Sequence, residues 1–99
     1  MRKGTTPTHT FILPITGDTI KGVEVTYSQN QKVVLQKDID DCTIDGNVLS
    51  VTLTQLETFE FADGMNVEIQ VRVLDEDDNV FASNIMCVPC HRCLSDEVL

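Results

Sequence analysis

The chain has 99 residues, of which 41% are hydrophobic, and a formal net charge of −9. This length allows one domain at most, and the hydrophobic fraction is sufficient for a core. Seven scattered basic residues argue against nucleic-acid binding, because phosphate contacts require clustered Lys and Arg. No stretch approaches the roughly 20 apolar residues that a membrane span needs. Neither nucleic acid nor a membrane is therefore expected as a partner.

The beginning of the chain and its cysteines indicate where the protein is made. The first residues are basic, at Arg2 and Lys3, but they lack the apolar run of a signal peptide. We therefore expect synthesis in a reducing cytoplasm, followed by residence there or by assembly into something larger. In that setting the four cysteines are expected to be thiols rather than disulfides.

In the first third of the chain, apolar residues alternate with polar ones, which is typical of strands with one buried face. Residues 11–13 supply a first strand. Residues 23–27 supply the next, and a polar turn leads from it into a third strand with Val33 and Leu35 as its inward pair. These two strands are expected to form a hairpin.

The middle of the chain contains two local turn signals. Asp45-Gly46 predicts a tight hairpin turn before a strand at residues 48–53, because Gly has no Cβ to clash at positive φ. Thr54 and Glu57 have the spacing of a capping box, in which each side chain satisfies the backbone of the other. We expect a single helical turn here that carries the chain from one sheet to the other.

The last third contains the clearest strand. Residues 67–73 alternate strictly between apolar and polar side chains, and an acidic hairpin loop at 75–79 leads into a last strand near 80–88. The fold class predicted is all-β: an immunoglobulin-like antiparallel β-sandwich of about seven strands. The sandwich is expected to occupy residues 1–90, with residues 91–99 as a C-terminal tail.

The strongest candidates for chemistry are Cys87, Cys90 and Cys93, whose C-x-x-C spacing can bind zinc and also resembles iron–sulfur ligation. Zinc ribbons need a second ligand pair, however, and only the distant Cys42 and His9 remain. The alternation of the last strand directs Cys87 into the core, away from the other two thiols. No metal site and no cofactor are therefore predicted. A small cysteine-based metal-binding or redox-regulatory protein is the alternative hypothesis.

Other site patterns are incomplete. Residues 75–79 match the start of a calcium loop, but Val80 replaces the Gly of the turn and Met86 replaces the closing Glu. The chain has no G-x-S-x-G, no H-E-x-x-H and no phosphate-binding Gly-rich loop. His9 and His91 stand alone. No catalytic residue is predicted, and the protein is not expected to be an enzyme.

Several segments carry a resemblance to a known group of proteins. They are Lys3–Thr5, Thr26–Gln29, Asn47–Gln55, Val67–Val73 and Ala82–Ile85. Together they resemble small structural proteins of phages and prophages of Gram-positive bacteria. The pattern is also similar to the immunoglobulin-like N-terminal domain of phage baseplate upper proteins.

The resemblance implies a non-enzymatic virion protein, a docking module of the tail or baseplate region that moves from the host cytoplasm into the virion. Its partners would be other phage structural proteins, including further copies of itself. Sheet edges and end loops are the surfaces expected to dock. The apolar tail residues Leu94, Val98 and Leu99 are a further candidate for partner binding. A phage protein that binds a host factor is a second alternative.

Overall fold

The computed structural model describes residues 1–99 and consists mainly of β-strands. The strands are β1 (Thr8–Ile12), β2 (Ile20–Gln29), β3 (Lys32–Asp38), β4 (Cys42–Asp45), β5 (Val48–Thr52), β6 (Val67–Asp75), β7 (Val80–Ala82) and β8 (Met86–Val88). The helical segments are α1 (Gln55–Thr58) and two 3-10 helices, Gly17–Thr19 and Ile39–Asp41.

The strands form two antiparallel sheets packed as a sandwich. The smaller sheet has the order β1-β5-β4. The larger sheet has the order β3-β2-β6, and β7 and β8 both pair with β6 on the side away from β2. The two 3-10 helices and α1 are the points at which the chain changes sheets. The predicted all-β sandwich is confirmed. Its immunoglobulin-like character stays a prediction.

The core lies between the sheets and is built from the alternate positions of the strands. In residues 23–29 of β2 and 67–73 of β6 every second residue is buried, which is the two-residue period of a strand with one face packed. Aliphatic side chains predominate. The buried hydrophobic residues are Phe11, Leu13, Ile20, Val23, Val25, Tyr27, Leu49, Val51, Leu53, Phe61, Val67, Ile69, Val71, Val73 and Cys90.

Both predicted local signals are confirmed. Gly46 has a φ of +60° and joins β4 to β5, so the turn uses the conformation that Gly tolerates best. Thr54 accepts a hydrogen bond from the Glu57 N–H at 3.2 Å, and Glu57 Oε1 accepts one from the Thr54 N–H at 2.8 Å. The reciprocal pair defines the single helical turn α1, which carries the chain from β5 to β6.

One predicted inward residue is wrong. Val33 is 61% exposed, and the half-buried hydrophobic residues of β3 are Val34 and Leu35. The register of the β2–β3 pair shifts between Tyr27 and Ser28, so that β3 contains one residue more than β2 at this point. A bulge of this kind reverses the facing of every residue beyond it.

A buried hydrogen bond joins the two sheets. His9 on β1 points inward, and its Nδ1 lies 2.8 Å from the hydroxyl oxygen of Tyr27 on β2. Their ring centroids are 5.5 Å apart. Burial lowers the pKa of His9 and raises that of Tyr27, because both charged forms lose hydration. Both rings are therefore uncharged at neutral pH, and the pair attaches β1 to the larger sheet.

This pair predicts a loss of stability in acid. The folded-state pKa of His9 lies below its ordinary value of 6.5, so the unfolded chain binds more protons as the pH falls from about 6.5. The free energy of unfolding should therefore fall through this range, by about 1.4 kcal/mol for each unit of pKa difference. Urea unfolding across pH measures this, and the fall should shrink in His9→Gln. An equal fall in that variant would contradict the assignment.

Candidate docking surface

The structure contradicts the predicted burial of Cys87, which is exposed on β8 opposite Glu68 of β6. The predicted last strand is interrupted: Ser83 Oγ accepts the Val71 N–H at 3.0 Å, and pairing with β6 resumes only at Met86. Across this interruption the alternation shifts by one residue. Met86 consequently packs against the core, and Cys87 points to solvent.

The other two thiols of the cluster lie in different surroundings. Cys90 is 3% exposed and belongs to the core, whereas Cys93 is exposed, beside Gly4. Burial raises the pKa of the Cys90 thiol, which keeps it protonated at neutral pH. The pKa of Cys42 is also raised. Partial burial is the larger cause, and the negative charges of Asp41 and Asp38 add to it. No group of three or more His, Cys, Asp or Glu side chains is arranged to hold a metal ion.

These positions predict two classes of thiol. Cys87 and Cys93 should react rapidly with a disulfide reagent such as DTNB in the native protein, because both are exposed. Cys42 and Cys90 should react at least about tenfold more slowly, since burial limits access and thiolate formation. Replacing Cys87 by Ser should remove one rapid equivalent. Loss of a slow equivalent instead would show that Cys87 is buried, as the sequence predicted, and would contradict its exposed position on β8.

The acidic hairpin loop is held by its own side chains. Asp75 Oδ1 accepts the backbone N–H of Asp77 at 2.9 Å and that of Asn79 at 2.8 Å. Asp78, at a positive φ of 64°, pairs with Lys21 of β2. The carboxylates of Asp75 and Asp78 therefore serve the turn between β6 and β7.

The predicted tail begins with paired residues. His91 accepts a backbone hydrogen bond from Lys3 at 3.0 Å, which ties the start of the tail to the N-terminal segment. Leu94, Val98 and Leu99 are 93%, 50% and 104% exposed. The Leu99 backbone N–H donates to Gln55 Oε1 at 2.8 Å, so the tail returns to the start of α1. Partner binding by the tail stays a prediction.

The free edge of β1 is a candidate surface for a partner. In an antiparallel ladder alternate residues direct their backbone groups to the partner strand. The Leu13 N–H donates to the carbonyl oxygen of Asn47 on the β5 side at 2.7 Å. Residues Phe11 and His9, two and four positions earlier, therefore also direct their backbone groups to β5. The alternate residues of β1 direct their N–H and C=O groups away from β5; these are Thr8, Thr10 and Ile12. As β1 ends the sheet, these groups face solvent.

A groove lined by both polar and apolar residues lies beside this edge, between the two sheets. Its volume is about 280 Å³, and its accessible apolar residues are Ile12 of β1, Ile85 of the segment between β7 and β8, and Met86 of β8. Ile12 is 70% exposed and Ile85 is 56% exposed. The remaining lining residues are Thr10, Phe11, Ser83 and Asn84, none of which is charged. We call the free edge of β1 together with this groove the β1 edge surface.

The other sheet edges carry features that block strand addition. Strand β3 contains three charged residues and a bulge, and β4 has only four residues, with three aspartates in and around it at positions 40, 41 and 45. Strands β7 and β8 have three residues each and are separated by the interruption at Ser83–Ile85. By contrast, β1 has five regular residues without charge, Pro or bulge.

Comparison of the chain with protein-family models, with curated proteins and with solved structures finds no match. None of the helical segments is long and apolar enough to cross a membrane. The β1 edge surface is the feature of the fold that best suits contact with a partner. It offers main-chain hydrogen bonds along the strand and an apolar contact beside it, a combination that suits an extended strand from a partner.

Proposed function

We propose that the chain is a non-enzymatic structural protein of a phage or prophage particle, a β-sandwich docking module of the tail or baseplate region. The observation that carries the docking role is the uncharged, open edge of β1 in a chain with a net charge of −9. An acidic surface repels other acidic surfaces, so partners are favoured where charge is absent.

The physical basis of docking would be strand addition. Thr8, Thr10 and Ile12 each offer one N–H and one C=O to an incoming strand, and the groove accepts its apolar side chains. The inner face of β1 is fixed by Phe11 in the core and by the His9–Tyr27 hydrogen bond. The edge is therefore held in the extended conformation before a partner arrives, which reduces the entropy lost on binding.

The phage assignment is supported by the sequence resemblance to small phage structural proteins. Two of its segments, Asn47–Gln55 and Val67–Val73, coincide with β5 and β6. These are the strand that pairs with β1 and the central strand of the larger sheet. The resemblance thus lies in the sandwich framework that presents the β1 edge surface.

Mass spectrometry of purified particles, collected after prophage induction, tests the proposal. The protein should be found in particles at a defined copy number. A protein that is abundant in the lysate and absent from particles would disprove the virion role. A Thr10→Lys variant should be incorporated at least about tenfold less, because a charge then stands at the centre of the edge. Thr43→Lys is the matched control, since Thr10 and Thr43 both pair with Ser50, from opposite sides.

A further inference from the structure

We infer that the occupant of the β1 edge surface is the β1 edge of a second copy of this chain, joined antiparallel across a two-fold axis. The two three-stranded sheets would then form one continuous six-stranded sheet. The inference rests on the proposed docking role of this edge, but it does not depend on the virion assignment.

The β1 edge is complementary to a second copy of itself. Outward backbone groups belong to Thr8, Thr10 and Ile12, which are spaced by two residues about Thr10. With Thr10 paired to its own copy, each Thr8 lies opposite Ile12 of the other chain. All three N–H and all three C=O groups of each edge are then paired, as in a regular antiparallel ladder. Any other register of the two strands leaves some of these groups unpaired.

The absence of charged residues at the β1 edge also favours a second copy as the occupant. Two copies of a chain with a net charge of −9 repel each other, so a contact between them requires a surface without charged groups. Strand β1 has no charged residue, and neither do the residues that line the adjoining groove. Of the sheet edges, β3 and β4 carry charges and β7 and β8 are interrupted. The β1 edge therefore suits a second copy better than any of these.

The groove beside β1 also suits this arrangement. In the two-fold arrangement the larger sheets also lie side by side, which brings each groove towards its copy. Ile12 and Ile85, both more than half exposed in the single chain, would be covered together. Burial of these two side chains would add to the stabilisation that the main-chain hydrogen bonds supply.

Sedimentation velocity over a range of protein concentrations tests the inference. The wild-type chain should show a concentration-dependent monomer–dimer equilibrium. Raising the salt to about physiological strength, where the Debye length is about 8 Å, should strengthen association by screening the repulsion between the two acidic chains. A protein that stays monomeric at about 1 mM would overturn the inference, and so would a dimer that salt weakens.

Two sets of variants locate the interface. Thr10→Lys should weaken dimerisation at least about tenfold, because two ammonium groups then face each other across the axis. Thr43→Lys changes the net charge equally and should leave the dissociation constant within about twofold. Equal effects of the two would place the interface elsewhere. Circular dichroism should show that each variant keeps the wild-type fold.

The register is tested by exchanging charges. Thr8→Lys and Ile12→Glu should each weaken the dimer, whereas the double variant should regain most of the affinity. In the double variant the ammonium group introduced at position 8 lies opposite the carboxylate introduced at position 12 of the other chain. Failure of the double variant to recover would exclude this pairing. Absence of the protein from purified particles would disprove the virion role and leave the dimer unaffected. A chain that stays monomeric would disprove the dimer and leave the virion role unaffected.

Discussion

Replacing Tyr27 by Ala is expected to lower the free energy of unfolding by about 3–5 kcal/mol, a large part of the stability of a domain this size. Tyr27 is the largest of the fully buried side chains. Its ring meets Phe61 edge-on with centroids 5.9 Å apart, and its hydroxyl pairs with His9. The substitution therefore opens a cavity between the sheets and also leaves a buried imidazole without its partner.

Urea unfolding followed by far-UV circular dichroism measures this effect, with two controls. Tyr27→Phe keeps the ring and loses only the hydrogen bond, so about 1–2 kcal/mol should be lost. Val33→Ala, at a site that is 61% exposed, should change the stability by no more than about 0.5 kcal/mol. A Tyr27→Ala loss as small as that of Val33→Ala would contradict the position of the ring in the core.

Replacing Glu57 by Gln is expected to destabilise the fold by about 2 kcal/mol, because it leaves the ammonium group of Lys37 without its partner. Lys37 points inward from β3, opposite Val25, and its Nζ lies 2.5 Å from Glu57 Oε2. The side chains are 10% and 21% exposed, so the loss is smaller than at full burial. Gln can still accept the N–H of Thr54, which preserves the capping box.

A double-mutant cycle separates the ion pair from other effects of the substitution. Lys37→Met removes the charge that Glu57 neutralises, and Met can occupy the same half-buried position. The double variant Lys37→Met/Glu57→Gln should recover much of the loss and show a coupling of about 1–2 kcal/mol. Strictly additive losses would contradict a functioning ion pair between β3 and the start of α1.

The acid side of the stability profile should have a second component at this ion pair. Burial tends to raise the pKa of Glu57, but hydrogen bonds from Lys37 and the Thr54 N–H outweigh it, and the pKa lies below the ordinary 4.5. Its contribution is therefore complete above about pH 4.5 and is lost as the pH falls further. The His9 contribution is lost at higher pH, so the two losses occur in sequence as acid is added.

The elements that could be predicted from the sequence are those whose signals are local. The alternation of residues 67–73 follows from the geometry of a single strand and predicts the buried face of β6 correctly. The Asp45-Gly46 turn and the capping box of Thr54 and Glu57 likewise depend on residues within a few positions of each other. The sandwich could be assembled from such pieces.

The features that could not be predicted depend on how one strand pairs with another and on the order of the strands in the sheets. The bulge that exposes Val33 is a mismatch between β2 and β3, and the interruption that exposes Cys87 results from contact of Ser83 with Val71. The edge position of β1 is of the same kind. The residues Thr8–Ile12 lack charge, and this is visible in the sequence. That they end a sheet depends on the strand order of the whole fold.

Amide hydrogen exchange followed by NMR at two protein concentrations most directly tests the central claim that β1 is an open edge used for association. The amides of Thr8, Thr10 and Ile12 should exchange rapidly in dilute solution and at least about tenfold more slowly in concentrated solution. The amides of His9 and Phe11, which face β5, should be protected in both. Protection of Thr10 in dilute solution would show that the edge is already covered. Rapid exchange at both concentrations would show that it does not associate.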